Sequence, residues 1–263
     1  MVNKQLKQKV LLVDAGNSAV KWGLALDLAH ITLLRESYPE NISNVYFQTL
    51  WKNEIKPAAV FVSCVANEFV WKAIEQACLG LWEIKPVKVV SPQQGQGVTN
   101  AYRQAMDLGS DRWCAILAAH QQAEKSACIV VDCGTAITID VVDPAGQHRG
   151  GYILPGLEMM QYSLGMQTAN IKLDQGKTGQ ASLAPADSTS ACIFSGIHLA
   201  AVAAVEAVVM AEQKNYGSVK FYLTGGDASA LSALLSVQHT VIPELVLQGL
   251  LLIAADEQDI EKH

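Results

Sequence analysis

Two short segments of the chain place a carboxylate, a glycine and a hydroxyl directly after an apolar run. The first is Asp14-Ala-Gly-Asn-Ser18, after residues 10–13, and the second is Asp132-Cys-Gly-Thr135, after residues 129–131. Each aliphatic run predicts a buried strand, and a Gly two residues after the Asp predicts a tight turn. Such a turn can present backbone N–H groups and hydroxyls to an anion. The two copies indicate duplicated halves that face one ligand.

The first segment has the side chains of a phosphate site. Gly16 lets the backbone approach a phosphate closely, and Asn17 and Ser18 add donors. Lys21 adds positive charge, and Asp14 can hold a hydrated divalent cation. The segment is not a Walker A loop, because the chain contains no G-x-x-x-x-G-K-[ST]. Taken alone it could be a plain hairpin turn, and the second copy is what favours the phosphate site.

The second segment suits the far side of a nucleotide phosphate chain, or a metal ion near it. Asp132, Thr135 and Thr138 would direct a carboxylate and two hydroxyls to one place. Two acidic loops repel phosphate unless cations intervene, so we expect at least Mg²⁺. A third loop, Thr224-Gly-Gly-Asp227, would let a base or ribose lie against bare backbone, although glycines between a strand and a helix are common.

Gly109-Ser-Asp-Arg112 is the candidate for the reacting end. The sequence places Asp111 in the first turn of a helix, where the helix dipole stabilises an anion. Arg112 can neutralise a transferring phosphate or bind a carboxylate through two hydrogen bonds. A carboxylate of ordinary pKa suffices as the base in phosphoryl transfer. The alternative is a solvated helix start with an acidic cap, and Tyr102 in isolation is a loop aromatic.

Strands alternating with helices must position these residues, which predicts an α/β protein with mixed sheets. The first loop is expected to bend a hairpin, and Ser110 to cap the helix that follows it. Residues 93–100 are predicted to be flexible and polar, and residues 174–188 to form a loop or lid. The predicted helices cover residues 41–54, 67–82, 113–122, 157–164, 195–213 and 245–257. The predicted strands include residues 58–65, 87–90, 136–142, 150–154 and 220–224.

A domain boundary is predicted near residue 122, where no linker of distinct composition occurs. The two predicted domains are residues 1–122 and residues 123–263. We expect two packed halves with a cleft between them.

Composition narrows the class of protein. Half of the 263 residues are hydrophobic and 17% are charged, which indicates a compact protein whose rather apolar surface favours oligomers. The net charge of −6 gives no general attraction to nucleic acid or anionic membrane. Six cysteines without C-x-x-C spacing are expected to be reduced thiols in the cytoplasm.

No signal peptide or membrane span is expected. The apolar run after the basic start is interrupted at Asp14, too soon for the core of a signal peptide. The longest apolar stretch, residues 199–211, contains Glu206 and is too short to span a bilayer. We interpret it as a buried or interface helix.

Five motifs, taken together, resemble those of type III pantothenate kinase. They occur in that family's order and run from residue 14 to residue 226. Ser18 stands where Thr is frequent, which keeps the hydroxyl, and residues 101–108 depart from the commoner Asn-Pro-Tyr type. The motifs are Asp14-x-Gly-Asn-Ser-x-x-Lys21, Gly109-x-Asp-Arg112, Asp132-x-Gly-Thr-Ala-x-Thr-x-Asp140, Gly150-Gly-Tyr-Ile-x-Pro-Gly156 and Thr224-Gly-Gly226.

The resemblance implies two ribonuclease-H-like domains of the acetate and sugar kinase, Hsp70 and actin superfamily, with the active site between them. It also implies a cytoplasmic bacterial homodimer that phosphorylates pantothenate with ATP and Mg²⁺, the first committed step towards coenzyme A. Asp111 resembles the proton acceptor, and Asp132 resembles a ligand of a monovalent cation, K⁺ or NH₄⁺. The implied pantothenate contacts are Tyr102, Gly109, Ser110, Asp111, Arg112 and Thr189, the last near the dimer interface. The implied ATP contacts are Asp14, Ala15, Gly16, Asn17, Ser18, Ala19, Val20, Lys21 and Thr135.

Two other functions remain open at this point. Proteins of this family have also been described as accessory transcriptional regulators, but the acidic charge and the absence of a basic helix or zinc motif argue against DNA contact. A kinase for another small alcohol is equally compatible with ATP loops, because such loops do not identify the acceptor.

Overall fold

The computed structural model describes residues 8–27, 30–167 and 182–260. The chain forms two compact units, the first from Met1–Gln122 together with Glu244–His263 and the second from Ala123–Pro243. The chain enters the second unit after Gln122, beside the predicted boundary. The last twenty residues differ from the prediction, which placed residues 123–263 in one domain.

The first unit contains a five-stranded mixed sheet in the order β3-β2-β1-β4-β5. Its centre is apolar because β1 is buried along its whole length, as the aliphatic run predicted. β1 pairs antiparallel with β2, and this hairpin bends at the first Asp-Gly loop. β1 also pairs parallel with β4. The strands are β1 (Val10–Ala15), β2 (Ala19–Ala25), β3 (Leu34–Ser37), β4 (Ala59–Cys64) and β5 (Val87–Lys88).

Three helices of this unit are α1 (Asn44–Trp51), α2 (Glu68–Trp82) and α3 (Ser110–Ala123). Ser43 and Asn67 begin the first two, since each side chain accepts a hydrogen bond from a backbone N–H in the first turn. Aromatic and aliphatic side chains from both helices pack with those of the sheet in one core, which includes Leu11, Val13, Phe47, Trp51 and Ile74.

The segment before α3 has more structure than a flexible loop. It contains a two-stranded hairpin, β6 (Gln94–Gly95) and β7 (Val98–Thr99), followed by a 3₁₀ turn at Ala105–Asp107. The polar composition of residues 93–100 concealed the hairpin, because its strands are only two residues long.

The second unit repeats the topology of the first. Its strands lie in the order β10-β9-β8-β11-β12, with antiparallel pairing on the β10 side and parallel pairing on the β12 side. The duplication that the two Asp-Gly segments indicated is therefore present in the strand order. The strands are β8 (Ala127–Cys133), β9 (Ala136–Val142), β10 (His148–Pro155), β11 (Val219–Thr224) and β12 (Thr240–Val241).

The helices of the second unit are α4 (Leu157–Gln167), α5 (Thr189–Tyr216) and α6 (Ala228–Ser232). At 28 residues α5 is longer than predicted, and in length and hydropathy it would pass as a membrane span. Only a third of its most apolar window is buried, but that part packs into the core of the unit. Its core residues Ala201, Val205 and Val209 cluster with Ile129, Ile139 and Leu223 of the sheet.

The last helix, α7 (Leu245–Ile260), packs on the first unit against β1, β2 and β4. At Gly249 the backbone of α7 lies very close to that of α3, because a Cβ there would lie 2.0 Å from the carbonyl oxygen of Cys114. The pattern of apolar residues predicted the helix, but no local signal indicated which unit it joins.

Of the predicted lid at residues 174–188, residues 174–181 lie outside the described residues. Residues 182–188 contain no helix or strand. The α/β class, with two mixed sheets flanked by helices, is confirmed.

Candidate active site

The first Asp-Gly loop joins β1 to β2. Asp14 and Lys21 are opposite one another in the strand register, and Lys21 Nζ lies 3.6 Å from Asp14 Oδ2. The Gly16 N–H donates to the Ala19 carbonyl over 3.1 Å and closes the turn. Both charged side chains are largely buried, so the fold holds a carboxylate and an ammonium together at the end of the strands.

The end of β4 lies next to this loop. The N–H groups of Val65 and Ala66 both donate to the Ala15 carbonyl. Ser63 is the register partner of Asp14, and its Oγ lies 2.9 Å from Ser110 Oγ. Both hydroxyls are buried, so this hydrogen bond fixes the start of α3 against β4. The structure thereby brings the predicted reacting segment to the strand edge that carries the first loop.

Ser110 does not cap α3, and this prediction is wrong. The helix begins at Ser110, and the Trp113 N–H donates to the Gly109 carbonyl, so Gly109 occupies the N-cap position. The Ser110 hydroxyl is instead hydrogen-bonded to the Ser63 hydroxyl of β4.

The Asp111 carboxylate lies over Gly109. Oδ1 of Asp111 accepts a 2.7 Å hydrogen bond from the Arg112 backbone N–H. A Cβ at position 109 would lie 2.5 Å from the same oxygen, so only glycine leaves room for the carboxylate there. The helix N-terminus stabilises negative charge at this place, as the sequence predicted.

Arg112 is buried and contacts Tyr102. Its Nη1 donates to the Tyr102 hydroxyl over 2.9 Å, and its Cζ lies 5.7 Å from the centre of the ring. Three residues of the predicted site, Tyr102, Asp111 and Arg112, thus lie together around the first turn of α3.

Cys114 is buried in α3 within the electrostatic influence of two candidate site carboxylates, Asp14 and Asp111. Burial raises the pKa of its thiol well above the ordinary value, and the charges of Asp14 and Asp111 raise it further. Cys114 stays protonated and unreactive at neutral pH.

Two buried polar residues that support this segment were missed in the sequence. Ser91 is 1% exposed, and its Oγ donates to the Leu108 carbonyl over 2.8 Å, just before Gly109. Asn100 is 2% exposed, and its side chain accepts from the Tyr102 N–H and donates to the Ala105 carbonyl. The spacing of residues in the sequence could not predict that Ser91 and Asn100 are buried, because both lie in polar segments whose composition is typical of exposed loops.

The second Asp-Gly loop joins β8 to β9. Asp132 is the register partner of Thr138 on one side and of Thr224 on the other. The Gly134 N–H donates to the Ala136 carbonyl and closes the turn, as in the first loop. The two loops are therefore similar, each closed by the N–H of its glycine, and the second is one residue shorter, since Cys133 pairs with Ile137 where Ala15 pairs with Val20.

The third loop is packed against the second. Gly225 has a φ of +100°, and a Cβ there would lie 2.3 Å from the Cys133 carbonyl oxygen and 2.5 Å from Asp132 Oδ1. The Asp227 N–H donates to the same carbonyl over 2.9 Å. Burial raises the pKa of the Cys133 thiol, and the charges of Asp132 and Asp227 raise it further. Glycine is required at position 225 by both its conformation and the proximity of backbone.

Among the remaining predicted contacts, Ala15 and Val20 are buried in the strands, and Asn17, Ser18, Thr135 and Thr189 are exposed. Thr135 lies at the tip of the second loop. Thr189 begins α5, whose N-cap is Ser188, and lines a surface depression with Asp187 and Cys192. No described contact places Thr189 beside the second loop.

Asp140, which belongs to the second motif, lies away from the loop along β9. Its Oδ1 is 2.9 Å from His148 Nε2, and both residues are 1% exposed. This pair joins β9 to the irregular start of β10, so Asp140 has a structural place in the sheet.

Within the described residues, no group of three His, Cys, Asp or Glu side chains could bind a metal ion. Mg²⁺ commonly binds through one or two carboxylates, with water and phosphate oxygens as its other ligands. A single carboxylate of this chain is sufficient for such a site.

Comparison with known proteins identifies the relatives of the chain. A family model for type III pantothenate kinase matches residues 10–211. The type III pantothenate kinase of Nitrosococcus oceani is 36% identical, over 97% of each chain. That of Nitrosospira multiformis is 34% identical, over 95% of this chain and 92% of the relative.

Solved structures show the same fold at lower identity. A protein described as a Baf family transcriptional activator from Campylobacter jejuni has a TM-score of 0.58 at 21% identity, over 95% of this chain and 99% of that one. MreB 5 of Spiroplasma citri, bound to AMPPNP, has a TM-score of 0.52 at 12% identity, over 97% and 99%. The actin-like architecture expected from the motifs is confirmed.

Proposed function

Since the chain belongs to the type III pantothenate kinase family, we propose that the first turn of α3 carries out the reaction of that family. The protein phosphorylates pantothenate with ATP and a divalent metal ion in coenzyme A biosynthesis. The observation that carries the residue assignment is the first turn of α3, where the Asp111 carboxylate accepts from the Arg112 backbone N–H and the Arg112 guanidinium contacts the Tyr102 hydroxyl.

Asp111 is the proton acceptor in this proposal. The pantothenate hydroxyl oxygen bonds to the γ-phosphorus of ATP, the bond from that phosphorus to the β–γ bridging oxygen breaks, and ADP leaves. The hydroxyl proton passes to the Asp111 carboxylate. Gly109 leaves the space in which the carboxylate lies, and the helix N-terminus keeps it charged before transfer.

Arg112 binds the acceptor. Its guanidinium is oriented by the Tyr102 hydroxyl, and a guanidinium carries five N–H donors in a planar fork. A guanidinium can donate two parallel hydrogen bonds to a carboxylate such as that of pantothenate. The backbone of Gly109 and Ser110 completes the acceptor site.

The first loop binds the phosphates of ATP. The turn residues Gly16, Asn17 and Ser18 lie between the strand ends Ala15, Ala19 and Val20. Asn17 and Ser18 supply short polar side chains, and Lys21 supplies positive charge. Asp14 fits a hydrated Mg²⁺, since it is a single carboxylate at the strand end beside these donors. Mg²⁺ there would supply charge against the phosphates.

Asp132 binds a monovalent cation, K⁺ or NH₄⁺, and Thr135 contacts ATP. The Asp132 carboxylate lies against the backbone of Gly225, so its negative charge is held where the second and third loops meet. A cation there would offset the negative charge of Asp132 and Asp227.

The protein acts in the cytoplasm as a homodimer. The second unit exposes large apolar side chains on β10, α4 and α5, and the beginning of α5 carries Thr189. A second copy covering this surface would bring Thr189 to the dimer interface as a pantothenate contact. The exposed residues of this apolar surface are Tyr152, Ile153, Met159, Tyr162, Leu164, Leu199 and Met210.

No observation favours the other two functions. The structural relative described as a transcriptional activator is 21% identical, and that likeness bears on the fold alone. No DNA partner is proposed. The arrangement of Arg112 beside a candidate base favours an acceptor that carries both a hydroxyl and an anionic group over a simple alcohol.

Substitution of Asp111 tests the assignment of the base. Asp111→Asn keeps the shape of the side chain and removes the proton acceptor, so we expect kcat to fall by about 10²–10⁴-fold. ATP binding, measured by calorimetry, should change little. Asp107→Asn removes an exposed carboxylate from the preceding turn and is the matched control with unchanged kcat. An Asp111→Asn enzyme of near full activity would remove Asp111 from the role of base.

A further inference from the structure

Asn100 makes more hydrogen bonds than a loop residue needs. Its Nδ2 donates to the carbonyls of Pro92, over 3.3 Å, and Ala105, over 3.1 Å. Its Oδ1 accepts from the Tyr102 N–H over 3.0 Å. Its backbone N–H and carbonyl both bond to Gln93.

The side-chain bonds join three separate parts of the segment. Pro92 lies before the β6–β7 hairpin, Tyr102 lies after it, and Ala105 begins the 3₁₀ turn. Because the amide is 2% exposed, water does not replace these bonds cheaply when they are lost. One side chain therefore fixes the backbone on both sides of Tyr102.

The position of the Tyr102 backbone decides where its hydroxyl lies. That hydroxyl accepts the hydrogen bond from Arg112 Nη1 at 2.9 Å, and the guanidinium lies 5.7 Å from the ring centre. Tyr102 reaches Arg112 across ten residues of chain, so a shift of the loop moves the hydroxyl relative to α3.

We propose that Asn100 is a positioning residue for acceptor recognition, which acts by holding Tyr102 where its hydroxyl orients the Arg112 guanidinium. The proposal rests on the proposed function, in which Arg112 binds the carboxylate of the acceptor. Asn100 acts through Tyr102 and does not touch the acceptor. Its loss should therefore weaken acceptor binding and leave binding of ATP at the first loop unchanged.

A double-mutant cycle tests the coupling. Asn100→Ala and Tyr102→Phe are each expected to raise KM for pantothenate by about tenfold, the effect of losing roughly one oriented hydrogen bond. KM for ATP should stay constant in both. In the double variant KM for pantothenate should rise no further than in Tyr102→Phe alone, because Asn100 has no hydroxyl left to position.

Two further variants separate this role from a loss of folding. Asn100→Ser retains a short acceptor for the Tyr102 N–H but loses the amide donors, so its KM should lie between those of the wild type and Asn100→Ala. Ser43→Ala removes the cap of α1 in the same unit and should lower the unfolding temperature without changing KM for pantothenate. If Asn100→Ala does not fold, Asn100→Ser takes its place in the cycle.

The outcomes distinguish the two levels of the proposal. If Tyr102→Phe leaves KM for pantothenate unchanged, the assignment of Tyr102 and Arg112 to the acceptor fails, and the positioning role fails with it. If Tyr102→Phe raises KM but Asn100 variants do not, or if the two effects multiply in the double variant, the acceptor assignment stands and the role of Asn100 is overturned.

Discussion

Gly109 decides where the proposed base lies. Its missing side chain leaves space for Asp111 Oδ1, which a Cβ would approach to 2.5 Å. A heavy-atom contact this short forces the carboxylate to move. The Arg112 N–H that holds the same oxygen would then lose its partner.

We expect Gly109→Ala to lower kcat by at least about tenfold, since a small displacement of a catalytic group costs that much or more. Thermal unfolding should change by only a few degrees. Gly80→Ala in α2 is a matched control, because its Cβ would also lie 2.5 Å from a polar atom, the Gln48 amide nitrogen. That atom ends a flexible side chain and can move. If both variants keep full kcat, the position of Asp111 over Gly109 does not matter for turnover.

At the scale of residues, the sequence predicted those that carry charge and missed those that only hold backbone. Asp14 and Lys21 could be paired from their spacing because a hairpin places them opposite one another. Ser110 was misassigned, since its partner Ser63 is 47 residues away. Asn100 had no signal, because a buried amide and a solvated one look identical in a polar run.

Among the elements, α7 shows how a helix is assigned to a unit by contact. It lies after the second unit in the chain but packs on the first. The backbone of Gly249 approaches α3 so closely that a Cβ would lie 2.0 Å from the oxygen and 2.4 Å from the carbon of the Cys114 carbonyl. Backbone atoms cannot rotate away as a side chain can.

Gly249→Ala should therefore destabilise the protein by about 3 kcal/mol, the upper part of the range for overpacking. The measurement is the unfolding temperature by calorimetry, where we expect a drop of several degrees. Gly80→Ala is the control and should raise the stability of the protein, because replacing a glycine within a helix by alanine stabilises the helix by roughly 0.5–1 kcal/mol. An unchanged unfolding temperature in Gly249→Ala would show that α7 does not dock closely on α3.

The sequence predicted the helices and strands that have a hydrophobic pattern of their own. It did not predict the strands that form only by pairing with a neighbouring strand. The apolar strands β1, β4, β8 and β11 were visible as aliphatic runs. β3, whose four residues are all exposed, and the two-residue β12 exist only through pairing. α5 begins six residues earlier than predicted, where Ser188 caps it.

At the scale of the whole molecule, each unit repeats one strand order. Among the described residues both units expose large apolar side chains, and those of the second unit defined above lie on β10 and on α4 and α5, two helices that contact each other. Large exposed apolar side chains on neighbouring elements favour a protein partner. A second copy of the chain is the partner proposed here.

The measurement that tests this partner is the molecular mass in solution. We expect twice the chain mass of 28.3 kDa for the wild type. Tyr162→Glu should shift the population to monomers, since it places a charge in the apolar surface. Phe69→Glu alters a side chain of the first unit that is equally exposed, at 60% against 64% for Tyr162, and should leave the dimer intact. Dimers that survive Tyr162→Glu but not Phe69→Glu would move the interface to the first unit.

The central claim is that this chain transfers phosphate from ATP to pantothenate. The direct measurement is ADP release and phosphorylated product with pantothenate and with a panel of other small alcohols, in the presence of Mg²⁺. We predict turnover with pantothenate that requires Mg²⁺ and rises with K⁺ or NH₄⁺, and little turnover with alcohols that lack the carboxylate. Phosphorylation of another alcohol without any turnover of pantothenate would contradict the substrate assignment and leave only a kinase of the same fold.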